Sequence, residues 1–294
     1  MSIPKFTYLA PKTLKEALIM RASHGSKSSI MAGGTDLLIK MGLRTLQPEF
    51  VIGLNSVPEI DYITLRPGGE LAIGPMAKLS AVVEDAEVEK NFPALSEAAS
   101  VTATVQIRNM GTLIGNICNA SPSADNATPL MIYDTKVVII RSDGERVVPI
   151  EEFFKGPGKS VLETGELVKE FLIPIPEKST GSNYQKVSTR SKVDIAGICV
   201  SALLTLNNDG TVSKARIALG AVAPKPIRVV KAEKILTGKT PTKELFNDAA
   251  KIAREEASPI SDMRASAEYR KAMVEVLTRR ALDASLAAAT KKKN

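Results

Sequence analysis

Residues 109–125, NMGTLIGNICNASPSAD, decide how this 294-residue chain is read. Gly111, Gly115, Asn116, Asn119, Ser121, Ser123 and Asp125 crowd into this stretch, yet apolar runs flank it on both sides. A polar segment of that length between core elements suits a binding loop. Asn and Ser side chains can donate to phosphate oxygens, and an Asp can accept from a ribose hydroxyl. Upstream, Met31-Ala32-Gly33-Gly34-Thr35-Asp36 forms a second small-residue stretch. Its Gly-Gly pair predicts a tight turn from a strand into a helix, where unsatisfied backbone N–H groups are available. Together the two stretches predict a site for a long anionic ligand, a dinucleotide. Neither is a P-loop, and neither is the GxGxxG fingerprint of nicotinamide-binding folds. Each stretch also has a plain structural reading, as a turn before a capped helix and as an Asx-rich surface loop.

Outward from these stretches, the first fifty-odd residues read as a βαβ-like unit. Residues 12–22 have helical spacing, and Thr13 with Glu16 has the form of a capping box. Residues 28–32 and 50–54 read as strands, and Thr35 or Asp36 is positioned to cap a helix through Leu37, Leu38 and Met41. A second unit follows, with a hairpin over 62–74, helices over 79–89 and 93–101, and a hairpin around Ser142-Asp143-Gly144. It closes on a strand over 171–176. In the third unit, strands over 198–206 and 212–219 precede helices over 227–236, 242–256 and 267–288. The expected domains are residues 1–56, 57–177 and 178–290.

Composition narrows the chemistry. Two cysteines, Cys118 and Cys199, cannot ligate an iron–sulfur cluster or a Cys-rich zinc site, so no metal site is expected. The single histidine, His24, sits in an expected surface turn and receives no role. The net charge of +7 includes Lys291-Lys292-Lys293, read as a solvated, frayed tail. No tryptophan is present and aromatics make up 4%, so no base-stacking platform for nucleic acid is visible. No apolar run reaches the length of a membrane span, and the N-terminal residues lack a signal-peptide h-region. A cytoplasmic protein is expected.

The motifs then carry a family resemblance. FTYLAPKTLKEAL, IMAGGTDLL, QIRNMGTLIGNICNASPSAD, NYQKVSTRSKVDIA, LGAVAPKPIR and SPISDMRASAEYRKAM span nearly the whole chain. In combination they resemble the FAD-binding medium subunit of the molybdenum hydroxylases, the group of xanthine and carbon monoxide dehydrogenases. The resemblance implies an α+β protein. Two α/β subdomains form an FAD-binding domain of the PCMH/vanillyl-alcohol-oxidase type, and a C-terminal α+β domain follows. It also implies that FAD is held by Ile30, Met31, Ala32, Gly33, Gly34, Thr35, Asp36 and Leu37 in the first motif. The second motif adds Thr112, Leu113, Ile114, Gly115 and Asn116, with Thr102, Asp125, Val168 and Lys186 as further contacts. Members of that family usually carry a glycine where this chain has Ile114. A β-branched residue resists positive φ, so either the position needs no such conformation or the loop is rearranged.

The implied role is electron transfer. A large molybdenum-cofactor subunit and a small subunit with two [2Fe–2S] clusters are the expected partners, in a dimer of heterotrimers. No residue of this chain is assigned an acid–base role, because the flavin carries the redox chemistry. Two alternatives stay open: a self-contained flavin oxidase or dehydrogenase, and a flavin-free scaffold with the same fold.

Overall fold

The computed structural model describes residues 3–293. Three larger sheets organise them, beside a two-stranded ribbon of Phe154–Gly156 and Lys159–Ser160. The first is parallel, in the order Thr7–Leu9, Phe50–Gly53, Ser28–Met31. The Leu14–His24 helix provides the crossover, and Thr13 Oγ1 caps it by accepting from the Glu16 N–H at 3.1 Å. The Glu16 carboxylate reaches back to the Lys12 N–H at 2.6 Å, so the capping signal in the sequence is used in both directions. The edge strand Thr7–Leu9 went unseen in the sequence. It is three residues long, and its pairing partner is more than forty residues away.

The second sheet is antiparallel: Ile63–Arg66, Glu70–Ile73, Leu167–Pro174, Lys136–Arg141, Gly144–Pro149. Both expected hairpins are present. The strand anticipated at 171–176 starts four residues earlier, which brings Val168 into the sheet. The helix expected over 79–89 is two helices, Leu79–Glu84 and Ala86–Asn91. Asp85 separates them and caps the second by accepting from the Glu87 and Val88 N–H groups.

The polar stretch that reads as one long loop is partly helical. Leu113–Cys118 lies inside it, and two more short helices, Val105–Arg108 and Ala127–Ile132, flank it. Ile114 is in the first turn of Leu113–Cys118, does not have positive φ, and is buried in the main core. That position needs no glycine, so the departure from the family pattern leaves the backbone undisturbed.

The third sheet is antiparallel: Thr180–Val187, Ile198–Leu206, Val212–Gly220, Ile227–Arg228. Every residue of Ile198–Leu206 is buried. One face packs under the Ala267–Lys293 and Val230–Leu236 helices, which Lys243–Glu256 covers in turn, and the other against Pro93–Ser100 and Ala127–Ile132 of the preceding region. Covering on both faces explains why ICVSALLTL is a nearly continuous apolar run and not an alternating one. The helix expected from 227 begins at Val230, after the short strand. The C-terminal helix continues to Lys293 where a frayed tail was expected, and Lys293 Nζ donates to the Asn208 carbonyl at 2.8 Å.

Candidate functional site

The two diagnostic stretches meet across a cleft of about 840 Å³. This is within the range of cofactor pockets, about 300–1,000 Å³. The first stretch leaves the parallel sheet at Met31 and turns through Gly33 and Gly34 into the Leu37–Gly42 helix. Gly34 has φ +72°, so a side chain there would be strained. Gly33 is needed for space: a Cβ would come within 2.0 Å of the Met110 carbonyl oxygen. The two walls therefore touch main chain to main chain, and only a glycine permits it.

No hydrogen bond among the described residues uses the backbone N–H of Gly33, Gly34, Thr35 or Asp36. All four residues line the cleft. Unpaired N–H groups on a cleft wall form a cradle for an anionic group. Asp36 occupies the N-cap position, but its side chain does not cap the helix as expected. Its Oδ1 accepts from Asn119 Nδ2 at 3.0 Å, while Lys40 Nζ donates to Asn119 Oδ1 at 2.6 Å. Asn119 thereby clasps one wall to the other.

The second wall is built on side chains. Thr112 Oγ1 accepts from the Gly115 N–H at 3.0 Å and caps Leu113–Cys118. A Cβ on residue 115 would come within 2.8 Å of that oxygen, which accounts for Gly115. The Leu79 N–H donates to the Gly111 carbonyl and the Leu113 N–H to the Ala77 carbonyl, fixing the wall to the hairpin region. Asn126 Nδ2 donates to Thr102 Oγ1 and to Asn116 Oδ1, both at 3.1 Å.

Of the residues expected to form the site, all but Leu113 and Lys186 line the cleft. Leu113 is fully buried in the core beneath it. Lys186, on Thr180–Val187, is buried behind the wall. It donates to Asp125 Oδ2 at 3.1 Å and to the Val101 carbonyl at 3.2 Å. Tyr184 Oη donates to Asp125 Oδ1 at 2.5 Å. Burial pushes the Asp125 carboxyl above its ordinary range, against the opposing pull of Lys186 and Tyr184. Asp125 thus joins the cleft to the third sheet, and both its oxygens already have protein partners.

Sequence reading missed Arg21 and Asn126, and it named Asn119 among the polar residues of the stretch but not among the expected cofactor contacts. Arg21 lines one end of the cleft, where its Nη1 donates to the Gly25 and Ser28 carbonyls. Cys118 lines the cleft too, but burial pushes its thiol up to about 12, so it carries no thiolate at neutral pH. His24 lies outside the cleft lining and stacks on Phe50 with ring centroids 3.8 Å apart. Among the described residues no cluster of His, Cys, Asp or Glu could hold a metal, and no helix is long and apolar enough to cross a membrane.

Comparison with known proteins gives the following. Residues 4–176 match the FAD binding domain in molybdopterin dehydrogenase, and residues 183–285 match the CO dehydrogenase flavoprotein C-terminal domain. The chain is 35% identical to the xanthine dehydrogenase FAD-binding subunit of Escherichia coli O157:H7, over 96% of this chain and 97% of that one. It is 34% identical to the carbon monoxide dehydrogenase medium chain of Hydrogenophaga pseudoflava, over 97% and 98%. The solved structure of carbon monoxide dehydrogenase from Hydrogenophaga pseudoflava, in a form lacking the Mo-pyranopterin moiety, superposes with a TM-score of 0.94. The coverage is 98% of this chain and 99% of that one.

Proposed function

The chain belongs to the family of FAD-binding subunits of molybdopterin dehydrogenases, and is thus part of an oxidoreductase with FAD as its cofactor. From that premise we propose that it is the electron-transfer subunit of a molybdenum hydroxylase-type complex. It works between the [2Fe–2S] clusters of a small partner subunit and an external electron acceptor or donor. A large partner subunit holds the molybdenum cofactor, and the assembly is a dimer of heterotrimers in the cytoplasm. Three domains, 1–56, 57–177 and 178–290, divide the labour: the first two supply the cleft walls and the third closes it behind Asp125.

One observation carries the cofactor assignment. The cleft wall at Gly33, Gly34, Thr35 and Asp36 offers backbone N–H groups that the protein leaves unpaired. These residues, with Ile30, Met31, Ala32 and Leu37, hold the pyrophosphate from one side. Thr112, Ile114, Gly115 and Asn116 hold it from the other, with Thr102 and Val168 flanking and Leu113 supporting from the core. Asp125 lies on the cleft lining, and Lys186 braces it from behind. When bound, FAD supplies reversible electron transfer in one- or two-electron steps. The protein's own part is to bind, orient and shield. Among the described residues the cleft lining holds no histidine, and burial pushes the thiol of its one cysteine, Cys118, up to about 12, which supports a cofactor held without a covalent link.

The isolated chain tests this role. Its flavin is expected to stay oxidised with every organic substrate of the complex. Adding the molybdenum and iron–sulfur subunits restores substrate-driven bleaching. Bleaching by substrate in the isolated chain would instead establish a self-contained dehydrogenase.

A further inference from the structure

Asn126 is placed where an asparagine ordinarily serves its own helix. It is the N-cap residue of Ala127–Ile132, yet its side chain makes no capping hydrogen bond. It is fully buried, and its Oδ1 has no partner. Forgoing a cap and burying an unpaired carbonyl both destabilise the folded chain. Nothing in the Ala127–Ile132 helix gains from the arrangement. Such a local conflict points to a function elsewhere.

The network fixes which way each amide points. Thr102 Oγ1 donates to the Ala98 carbonyl at 2.7 Å, because a carbonyl can only accept. The Thr102 oxygen is then an acceptor toward Asn126, so Asn126 must present its NH₂ there. The second hydrogen of that NH₂ goes to the Asn116 side chain, which must answer with its oxygen. Asn116 Nδ2 is left as the free end of an amide on the cleft wall, and no hydrogen bond among the described residues uses it.

We infer that Asn126 is a positioning residue for FAD binding. Through the Ala98–Thr102–Asn126–Asn116 chain it locks the Asn116 amide with its NH₂, and not its oxygen, facing the anionic cofactor. This inference rests on the proposed FAD cleft. Phosphate oxygens accept and never donate, so an Asn116 free to flip would present a repelling carbonyl in part of the population.

The test is FAD affinity of the full-length chain stripped of flavin, measured by fluorescence titration beside its melting temperature. Asn126→Asp replaces the locking NH₂ with an acceptor. Asn116 Nδ2 then turns inward to meet it and its oxygen faces the cleft. The dissociation constant is expected to rise by at least about tenfold. In an Asn116→Ala background the same change adds almost nothing, because the residue it acts through is gone. Equal effects in both backgrounds, or an unchanged dissociation constant with only a lower melting temperature, would overturn the inference. Should Asn126→Asp not fold, the unmodified chain answers. The Asn116 side-chain NH₂ resonance, assigned by its loss in Asn116→Ala, must shift on FAD addition. A resonance that stays in place refutes the lock. Failure of the unmodified chain to bind FAD at all would overturn the reading of the cleft, and this inference with it.

Discussion

The two walls of the cleft solve one problem with different materials. The Gly33–Gly34 wall uses main chain: unpaired N–H groups, a left-handed glycine, and a contact so close that no side chain fits. The opposite wall uses side chains: Thr112 caps its helix, Asn116, Thr102 and Asn126 are joined in a hydrogen-bond chain, and Asp125 is tied to Lys186 and Tyr184. A backbone wall depends on what is absent from a few positions. A side-chain wall depends on the whole network behind it. Substitutions in the two walls should therefore fail in different ways.

The largest effect falls on the side-chain wall. Asp125→Ala leaves Lys186, with its side chain 6% exposed, as a buried cation without its carboxylate. Breaking a buried pair from one side costs about 3–5 kcal/mol of stability. Loss of FAD should follow from loss of structure, which thermal melting of the flavin-free chain will show. Weaker FAD binding with unchanged melting would mean that Asp125 contacts the cofactor directly.

Gly33→Ala should act in the opposite manner. The added carbon meets the Met110 carbonyl, so the walls must separate, at about 1–3 kcal/mol of strain. FAD affinity should drop by about ten- to a hundredfold, more than melting alone accounts for. The control lies at the far end of the helix that follows this wall. A Cβ at Gly42 meets nothing within 4 Å, so Gly42→Ala should stabilise its helix by up to about 1 kcal/mol with FAD affinity unchanged. Equal behaviour of the two alanines would refute the close-approach account.

Thr112→Ala removes the cap of the helix that begins the second wall. The expected loss is about 1 kcal/mol, within the usual range for such caps, read as a shift in denaturant midpoint. The smallest effect lies outside the cleft. The Asp262 carboxylate is held down to about 2 by the Arg264 N–H and by the Arg270 guanidinium. A depressed carboxyl stabilises the fold above its unfolded value, near 3.8, and loses that contribution as pH falls toward 2. The melting gap between the native chain and Asp262→Asn should be constant above about pH 5 and narrow below pH 4. A gap independent of pH would remove the ion pair from the account.

The same contrast explains what the sequence disclosed. Gly33-Gly34 was legible because glycine is the residue that close approach and positive φ require. The hairpin at Ser142-Asp143 and the buried run over 198–206 were legible because turn chemistry and period announce them. Three short helices, Val105–Arg108, Leu113–Cys118 and Ala127–Ile132, were not, since four to six residues are too few to show a 3.6-residue period. Ile114 looked like a conflict only while its segment was taken for a loop. Asn126 went unnamed and Asn119 was one polar residue among many in its stretch, because their partners, up to 83 positions away in the chain, leave no mark on the local sequence. Side-chain networks follow tertiary placement, and no local pattern records them.

The central claim is that this cleft holds one FAD per chain without a covalent bond. Acid precipitation of the purified complex, with flavin counted in supernatant and pellet, tests it most directly. The account predicts one equivalent of FAD per chain in the supernatant and a colourless pellet. Flavin retained by the precipitated chain, or a complex that carries none, would contradict it.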